Sequence, residues 1–163
     1  FLFSSGFSGR TEKMTDSVRA MCFLPGHKMT LAYDNRVKTF DGRGLSNILP
    51  FIEKKKDITG YSVGDVVVGK AAALLFVKAN IYSVYAKVIS RPAIQVFRKY
   101  GIPTRYTILV DNIKDESGTG ICPLEVALAD CLDYEEGYKI IKETLAKLRA
   151  EAEKKKEAAA EDK

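Results

Sequence analysis

Residues 71–77 form an unbroken apolar run, AAALLFV, near the middle of the chain. The run lies in a longer segment, residues 63–79, whose second half is apolar nearly all round, as in a helix that is buried against a sheet. Such a helix needs neighbours on every side, so it restricts the choice of fold. The run is also far shorter than the roughly 20 residues of a membrane-spanning helix. The segment 63–79 is therefore predicted to form a central core helix, and no association with a membrane is expected.

Short β-prone segments flank this helix. Residues 29–34 and 37–41 are separated by Asn35-Arg36, which predicts a hairpin. Residues 83–89 and 104–110 are rich in valine, tyrosine, isoleucine and threonine, which predicts two further strands.

Helices are predicted between and after these strands, at residues 45–56, 91–100, 122–132 and from 134 onward. The last helix repeats its apolar residues at intervals of four and three, so it should pack along one stripe. That stripe consists of Tyr134, Tyr138, Ile141, Leu145 and Leu148. Strands that alternate with helices predict an α/β protein of three layers, α/β/α, with a mixed sheet that is opened by a β-hairpin.

The chain of 163 residues has the usual length of one domain. Residues 1–27 are interpreted as a leader or cloning remnant followed by the start of the domain, with Met14 as a candidate native start. Residues 28–148 should form the domain. Residues 149–163 should form a polar tail that is helical or disordered.

Cysteine content and charge restrict the cellular setting and the partners. Three cysteines do not suggest a secreted disulfide framework, so a cytoplasmic location is predicted. The net charge is +5, but the clusters at residues 54–56 and 154–156 follow predicted helices and favour solvated helix ends. Because no aromatic residues alternate with these lysines, nucleic acid is not a predicted partner.

Four strings in the chain carry a resemblance to a known family. They are GRG at 42–44, VVGKAAALL at 67–75, SRPA at 90–93 and GTGICPLE at 118–125. Together they resemble an uncharacterised prokaryotic family, a domain of unknown function (DUF1893), that is assigned to the cytidine deaminase-like fold. The resemblance extends over about residues 28–145 and implies that fold, but no activity.

Zinc deaminases of this fold hold the metal at the starts of two helices, with a His-Ala-Glu or Cys-Ala-Glu motif and a Pro-Cys-x-x-Cys motif. The corresponding strings here are Lys70-Ala71-Ala72 and residues 92–96, which contain neither the metal ligands nor the catalytic glutamate. Cys122 and Cys131 are nine residues apart on a predicted helix and should not share a metal. The sequence therefore predicts no metal, no cofactor and no zinc-dependent deamination, while other enzymatic activity is left open.

Two helix N-termini that face one pocket present free N–H groups and positive potential. Lys70 and Arg91 would lie at these ends, with Ser90 in the same turn, so an anion is expected between the two helices. The alternative is that Lys70 extends to solvent and that Arg91 pairs with a surface carboxylate.

Other candidate ligand-binding residues lie nearby in the sequence. Asp65 would line the same rim or supply negative charge to the first turn of its helix. Arg43, between two glycines, would clamp a phosphate or remain solvated in its turn. Asn112 and Thr119 are plausible hydrogen-bond donors in the loop that precedes Cys122.

Cys122, at a helix start, is a possible nucleophile or a structural residue, and His27 is the only histidine available as its base. The leading hypothesis is a zinc-free deaminase-like domain that binds a nucleotide or another phosphate-bearing small molecule. One alternative is an interaction or assembly module with a relict pocket, in which a surface such as the stripe of the last helix mediates formation of a homo-oligomer. The other is an enzyme that depends on Cys122.

Overall fold

The computed structural model describes residues 14–162. The proposed leader or cloning remnant at residues 1–13 therefore lies outside the described residues. The strands are β1 (Met29–Tyr33), β2 (Arg36–Phe40), β3 (Ser62–Val68), β4 (Ser83–Ser90) and β5 (Thr104–Val110). The helices are α1 (Asp16–Cys22), α2 (Leu49–Glu53), α3 (Lys70–Lys78), α4 (Arg91–Tyr100), α5 (Pro123–Ala127) and α6 (Tyr134–Glu161), and a 3-10 helix spans Gly44–Asn47.

The five strands form one mixed sheet in the order β2-β1-β3-β4-β5. Strand β1 pairs antiparallel with β2 and β3, whereas β3, β4 and β5 are parallel. The predicted hairpin is confirmed, but its turn lies one residue earlier, because Tyr33 pairs with Arg36. Asp34 and Asn35 form this turn with φ angles of 50° and 62°. Both residues are thus left-handed, as a two-residue type I′ turn requires.

The prediction of one helix over residues 63–79 is wrong in its first half. Ser62–Val68 is the central strand β3, and the helix begins after Gly69. The run of β-branched Val66, Val67 and Val68 favours a strand. The predicted helix at 45–56 is likewise replaced by the 3-10 helix and the short α2.

The three-layer α/β/α architecture is confirmed. Helices α3, α4 and α6 pack together on one face of the sheet, over the buried side chains of Val63 and Leu31. Helix α1, which was not predicted, packs on β1, β3 and β4. Its Ser17 contacts Ser62 and Ser83. Since side chains alternate along a strand, Ser62 points away from Val63, and α1 covers the opposite face.

Helix α3 is the centre of the core, as the sequence predicts. All of its residues from Lys70 to Val77 are buried. Between residues 14 and 162, none of the helices combines the length and the apolar composition needed to cross a membrane.

Candidate functional site

The N-termini of α3 and α4 converge on one buried carboxylate, that of Glu125. Its Oε1 accepts hydrogen bonds from the backbone N–H of Lys70 and from the hydroxyl of Ser90, each at 2.8 Å. Its Oε2 accepts a hydrogen bond from the backbone N–H of Ile113 at 2.9 Å. Glu125 is only 6% exposed. A side chain of the protein therefore occupies the anion position between the two helix ends.

The residues at the two helix starts fit this arrangement. Gly69 caps α3 without a side chain, and a Cβ atom at this position would lie 3.0 Å from Glu125 Oε1 and 2.9 Å from a carbon of Ile113. Ser90 caps α4 by accepting a hydrogen bond from the backbone N–H of Ala93. Ser90 is thus committed to α4 and Glu125, and it lines none of the cavities described below.

Lys70 does not face this anion position with its ammonium group. Its side chain runs beneath α5, where Nζ donates to the carbonyl oxygens of Leu128 at 2.6 Å and Ala129 at 3.1 Å. Burial lowers the pKa of Lys70, while nearby acidic groups oppose this shift. The ammonium therefore stabilises the C-terminal end of α5, and neither of the two sequence-based interpretations of Lys70 describes it.

Arg91 lies at the start of α4 with an exposed side chain. Its Nε donates to Asp111 Oδ1 at 2.8 Å. This is the surface ion pair that the alternative interpretation describes. Lys70 and Arg91 therefore do not form a joint anion site in this structure.

A cavity of about 440 Å³ opens beside the helix ends, between the 3-10 helix, β3, α3, α5 and α6. We call it the central cavity. Arg43, Asp65 and Cys122 all line it, so three of the sequence-predicted residues come together here. Its apolar lining consists of Leu45, Leu49, Val67, Ala71, Ala72, Ile113, Leu124 and Leu145.

Asp65 places a carboxyl group in these apolar surroundings. It lies in the middle of β3, so the idea that it belongs to the first turn of a helix is wrong. Burial raises the pKa of Asp65 to about 8, against the smaller, opposing effect of the backbone N–H groups of Val66 and Val67. At neutral pH this carboxyl is therefore mostly protonated and can both donate and accept a hydrogen bond.

Two guanidinium groups belong to the lining of the central cavity, together with the carboxylates of Glu125 and of Glu116 in the loop before Cys122. Arg43 precedes the 3-10 helix, and Arg149 lies on the exposed part of α6. Neither arginine takes part in an ion pair within residues 14–162. Arg149 belongs to the segment predicted as a polar tail, residues 149–163, and was not among the predicted site residues. Its position one helical turn after Leu145 was the available signal.

Asn112 and Thr119 line a different cavity, of about 650 Å³, beside β5. Val67 and Ile113 belong to the lining of both cavities, whereas neither Asn112 nor Thr119 lines the central cavity. The structure thus separates these two loop residues from Arg43, Asp65 and Cys122.

Cys122 is half-buried and has no histidine beside it. The Nδ1 atom of His27 lies 2.9 Å from Asp41 Oδ1, and His27 lines a different cavity from Cys122. No group of three or more His, Cys, Asp or Glu side chains within residues 14–162 is arranged to hold a metal ion.

Known proteins place the chain in a family. No curated protein matches it. A diaminohydroxyphosphoribosylaminopyrimidine deaminase/5-amino-6-(5-phosphoribosylamino)uracil reductase from Thermotoga maritima matches with 14% identity over 69% of this chain and 38% of its own. The TM-score is 0.36, which is too low to infer a shared function from this match.

A crystal structure of a DUF1893 family protein, also from Thermotoga maritima, is 28% identical, with a TM-score of 0.64. The match covers 74% of this chain and 80% of that protein. The family described as "Domain of unknown function (DUF1893)" matches residues 25–145. The chain therefore belongs to the DUF1893 family.

Proposed function

We propose that this chain binds a nucleotide or another phosphate-bearing small molecule in the central cavity, without zinc and in the cytoplasm. One observation carries the proposal: Arg43 and Arg149 lie on the same apolar cavity as the protonated carboxyl of Asp65. A ligand that matches all three has an anionic group, a flat apolar body and a hydrogen-bonding edge. The volume of the central cavity, about 440 Å³, lies within the range of small-molecule sites.

The phosphate belongs at the two arginines in this proposal and not at the helix ends. Glu125 already accepts three hydrogen bonds between α3 and α4, and a second anion there would be repelled. Arginine binds phosphate oxygens through two parallel N–H groups, which suits Arg43 and Arg149 to this role.

The base of the ligand belongs against Asp65. A neutral carboxyl can pair with a ring nitrogen and an amino group at once, as a donor and an acceptor. Ala71 and Ala72 are small and lie on the adjacent cavity wall, which leaves space for a ring. An ionised group beside Asp65 would be poorly solvated, so the base and not the phosphate fits the apolar end.

The surface that was suggested for the assembly alternative, the stripe of α6, is not free. Ile141 of the α6 stripe is fully buried in the core, and Tyr134, Tyr138 and Leu145 pack against that core. The stripe is therefore used within the chain. The alternative of an enzyme that depends on Cys122 is supported only by the position of Cys122 on the cavity wall. Our proposal therefore assigns no reaction to the site.

The proposal is tested with AMP, ADP-ribose, adenosine and inorganic phosphate, first by thermal shift at low salt and then by calorimetry. We expect Arg43→Gln and Arg149→Gln each to weaken AMP binding by about tenfold to a hundredfold, since a charge-assisted hydrogen bond contributes roughly 1.5–3 kcal/mol. Arg91→Gln is the matched control, because Arg91 carries the same charge outside the cavity.

Asp65→Asn distinguishes the contribution of the base to binding from that of the phosphate. It should change the preference of the site between AMP and inorganic phosphate and leave the effect of Arg43→Gln intact. The proposal fails if no phosphate compound raises the melting temperature, or if Arg91→Gln weakens binding as much as the two cavity variants.

A further inference from the structure

A groove on the other face of the sheet forms a second unassigned surface. It consists of two cavities, of about 230 Å³ and 500 Å³, that share Met21 and Tyr85 and lie between α1 and strands β3, β4 and β5. We call it the sheet groove. It exists because α1 is only seven residues long and leaves much of this face open. Lys87 is exposed on β4, an interior strand between β3 and β5, so solvent reaches this groove.

The sheet groove carries positive charge and no acidic lining. Lys28, Lys87, Arg105 and His27 line its two cavities, and no Asp or Glu of residues 14–162 does so. His27 contacts Asp41, which stands outside the lining. Lys28, Lys87 and Arg105 form no ion pair within the described part of the chain. The groove is therefore complementary in charge to a polyanion.

Tyrosine rings lie among these cations. Tyr82 is 63% exposed at one end of the groove, and Tyr85 is half-buried at its middle. Arg105 pairs in register with Tyr85, so Lys87 lies about 7 Å further along the sheet. Lys28 directly precedes β1, Lys87 lies on β4 and Arg105 on β5. Cations spread over neighbouring strands, with an exposed ring beside them, suit a chain of phosphates that carries unstacked bases.

We propose that the sheet groove binds single-stranded nucleic acid, with Lys28, Lys87 and Arg105 on the phosphates and Tyr82 stacked on a base. The sequence did not predict this partner, because the interleaving of rings and cations arises only when neighbouring strands come together. A duplex is a poor match, since its bases are paired and stacked and cannot reach Tyr82. The proposal is independent of the central cavity and of any ligand bound there.

The test is fluorescence anisotropy with the full chain and a labelled single strand of about 12 nucleotides, within the site sizes of roughly 4–16 nucleotides known for such surfaces. Three phosphate contacts predict a slope of about −2 for log K against log salt concentration. Lys87→Gln/Arg105→Gln should reduce that slope by about 1.4. Tyr82→Ala should weaken binding by about fivefold to a hundredfold without changing the slope.

The matched control is Lys54→Gln/Lys56→Gln, which removes the same charge from exposed residues after α2. It should leave the affinity nearly unchanged. Absence of binding at about 50 mM salt, or an equal loss in the Lys54/Lys56 control, would overturn the proposal. Equal affinity for a duplex would also overturn it. Equal affinity for polyglutamate, unaffected by Tyr82→Ala, would assign the groove to acidic polypeptides instead.

Discussion

Single residues of the candidate site were predictable where their residue type has few alternative uses. An arginine between two glycines and an acidic residue within a valine-rich run both stand out, and Arg43 and Asp65 do share the central cavity. Glu125 did not stand out, because an acidic residue in the first turn of a helix also fits ordinary capping. Its true partners are 55 and 35 residues away in the sequence, at Lys70 and Ser90. No local pattern reveals contacts of that range.

Asp65→Asn should remove a pH dependence of stability. Between about pH 4 and pH 8 the native state holds a proton on Asp65 that the unfolded chain releases, because the pKa of Asp65 is raised from 3.8 to about 8. The native state binds more protons, so the free energy of unfolding should fall as pH rises, by up to about 1.4 kcal/mol per pH unit. Urea unfolding at several pH values measures this slope. The asparagine variant should lack this contribution, and identical slopes in the two proteins would refute the assignment.

At the scale of the elements, the sequence predicted the segments with one dominant periodicity and failed at the junction of β3 and α3. Strand β3 is buried on both faces at Ser62, Val63 and Gly64, so it shows no alternation of polar and apolar residues. The apolar start of α3 follows directly after Gly69, and the two segments read as one. Valine content and the glycine at residue 69 were the remaining signals.

Helix α5 has only five residues, so its position depends on contacts with other elements. Glu125 fastens its first turn to α3, α4 and Ile113, and Lys70 holds the carbonyl groups that follow it. Two buried polar side chains, Glu125 and Lys70, therefore hold in position the wall of the central cavity that contains Cys122 and Leu124.

Glu125→Gln should destabilise the protein by about 1–3 kcal/mol, because an amide offers one acceptor oxygen where the carboxylate uses two. At least one of the three donors then faces an NH₂ group. Urea unfolding measures the loss, and alkylation of Cys122 should become faster as α5 loosens, with the exposed Cys22 as internal reference. Glu143→Gln is the control, since Glu143 is exposed on α6 and lies outside the lining of the central cavity. Equal stability of wild type and Glu125→Gln would contradict this role for Glu125.

For the molecule as a whole, the two faces of the sheet differ in how they are covered. Helices α3, α4 and α6 cover one face, whereas the short α1 forms the thinner layer on the other. Helix α1 lies close to the sheet because Gly64 has no side chain: a Cβ atom there would lie 2.5 Å from the carbonyl oxygen of Ala20 and 2.5 Å from Thr30 Oγ1. Thr30 in turn donates to that carbonyl at 2.6 Å. Ser17 adds a hydrogen bond to Ser83 at 2.7 Å.

Gly64→Ala should therefore push α1 away from the sheet and destabilise the protein by about 1–3 kcal/mol, the usual effect of overpacking. The methyl group meets backbone at Ala20, which cannot rotate away as a flexible side chain would. Ser17→Ala removes hydrogen bonds without adding bulk and should have the smaller effect, about 1 kcal/mol.

Hydrogen exchange of the α1 amides should accelerate in Gly64→Ala, while exchange in α3 stays slow, since α3 lies on the opposite face. Because Ser17, Met21 and Leu24 line the sheet groove, Gly64→Ala should also reshape that groove and leave the central cavity intact. Unchanged protection of α1 in this variant would show that the helix does not lie against β3.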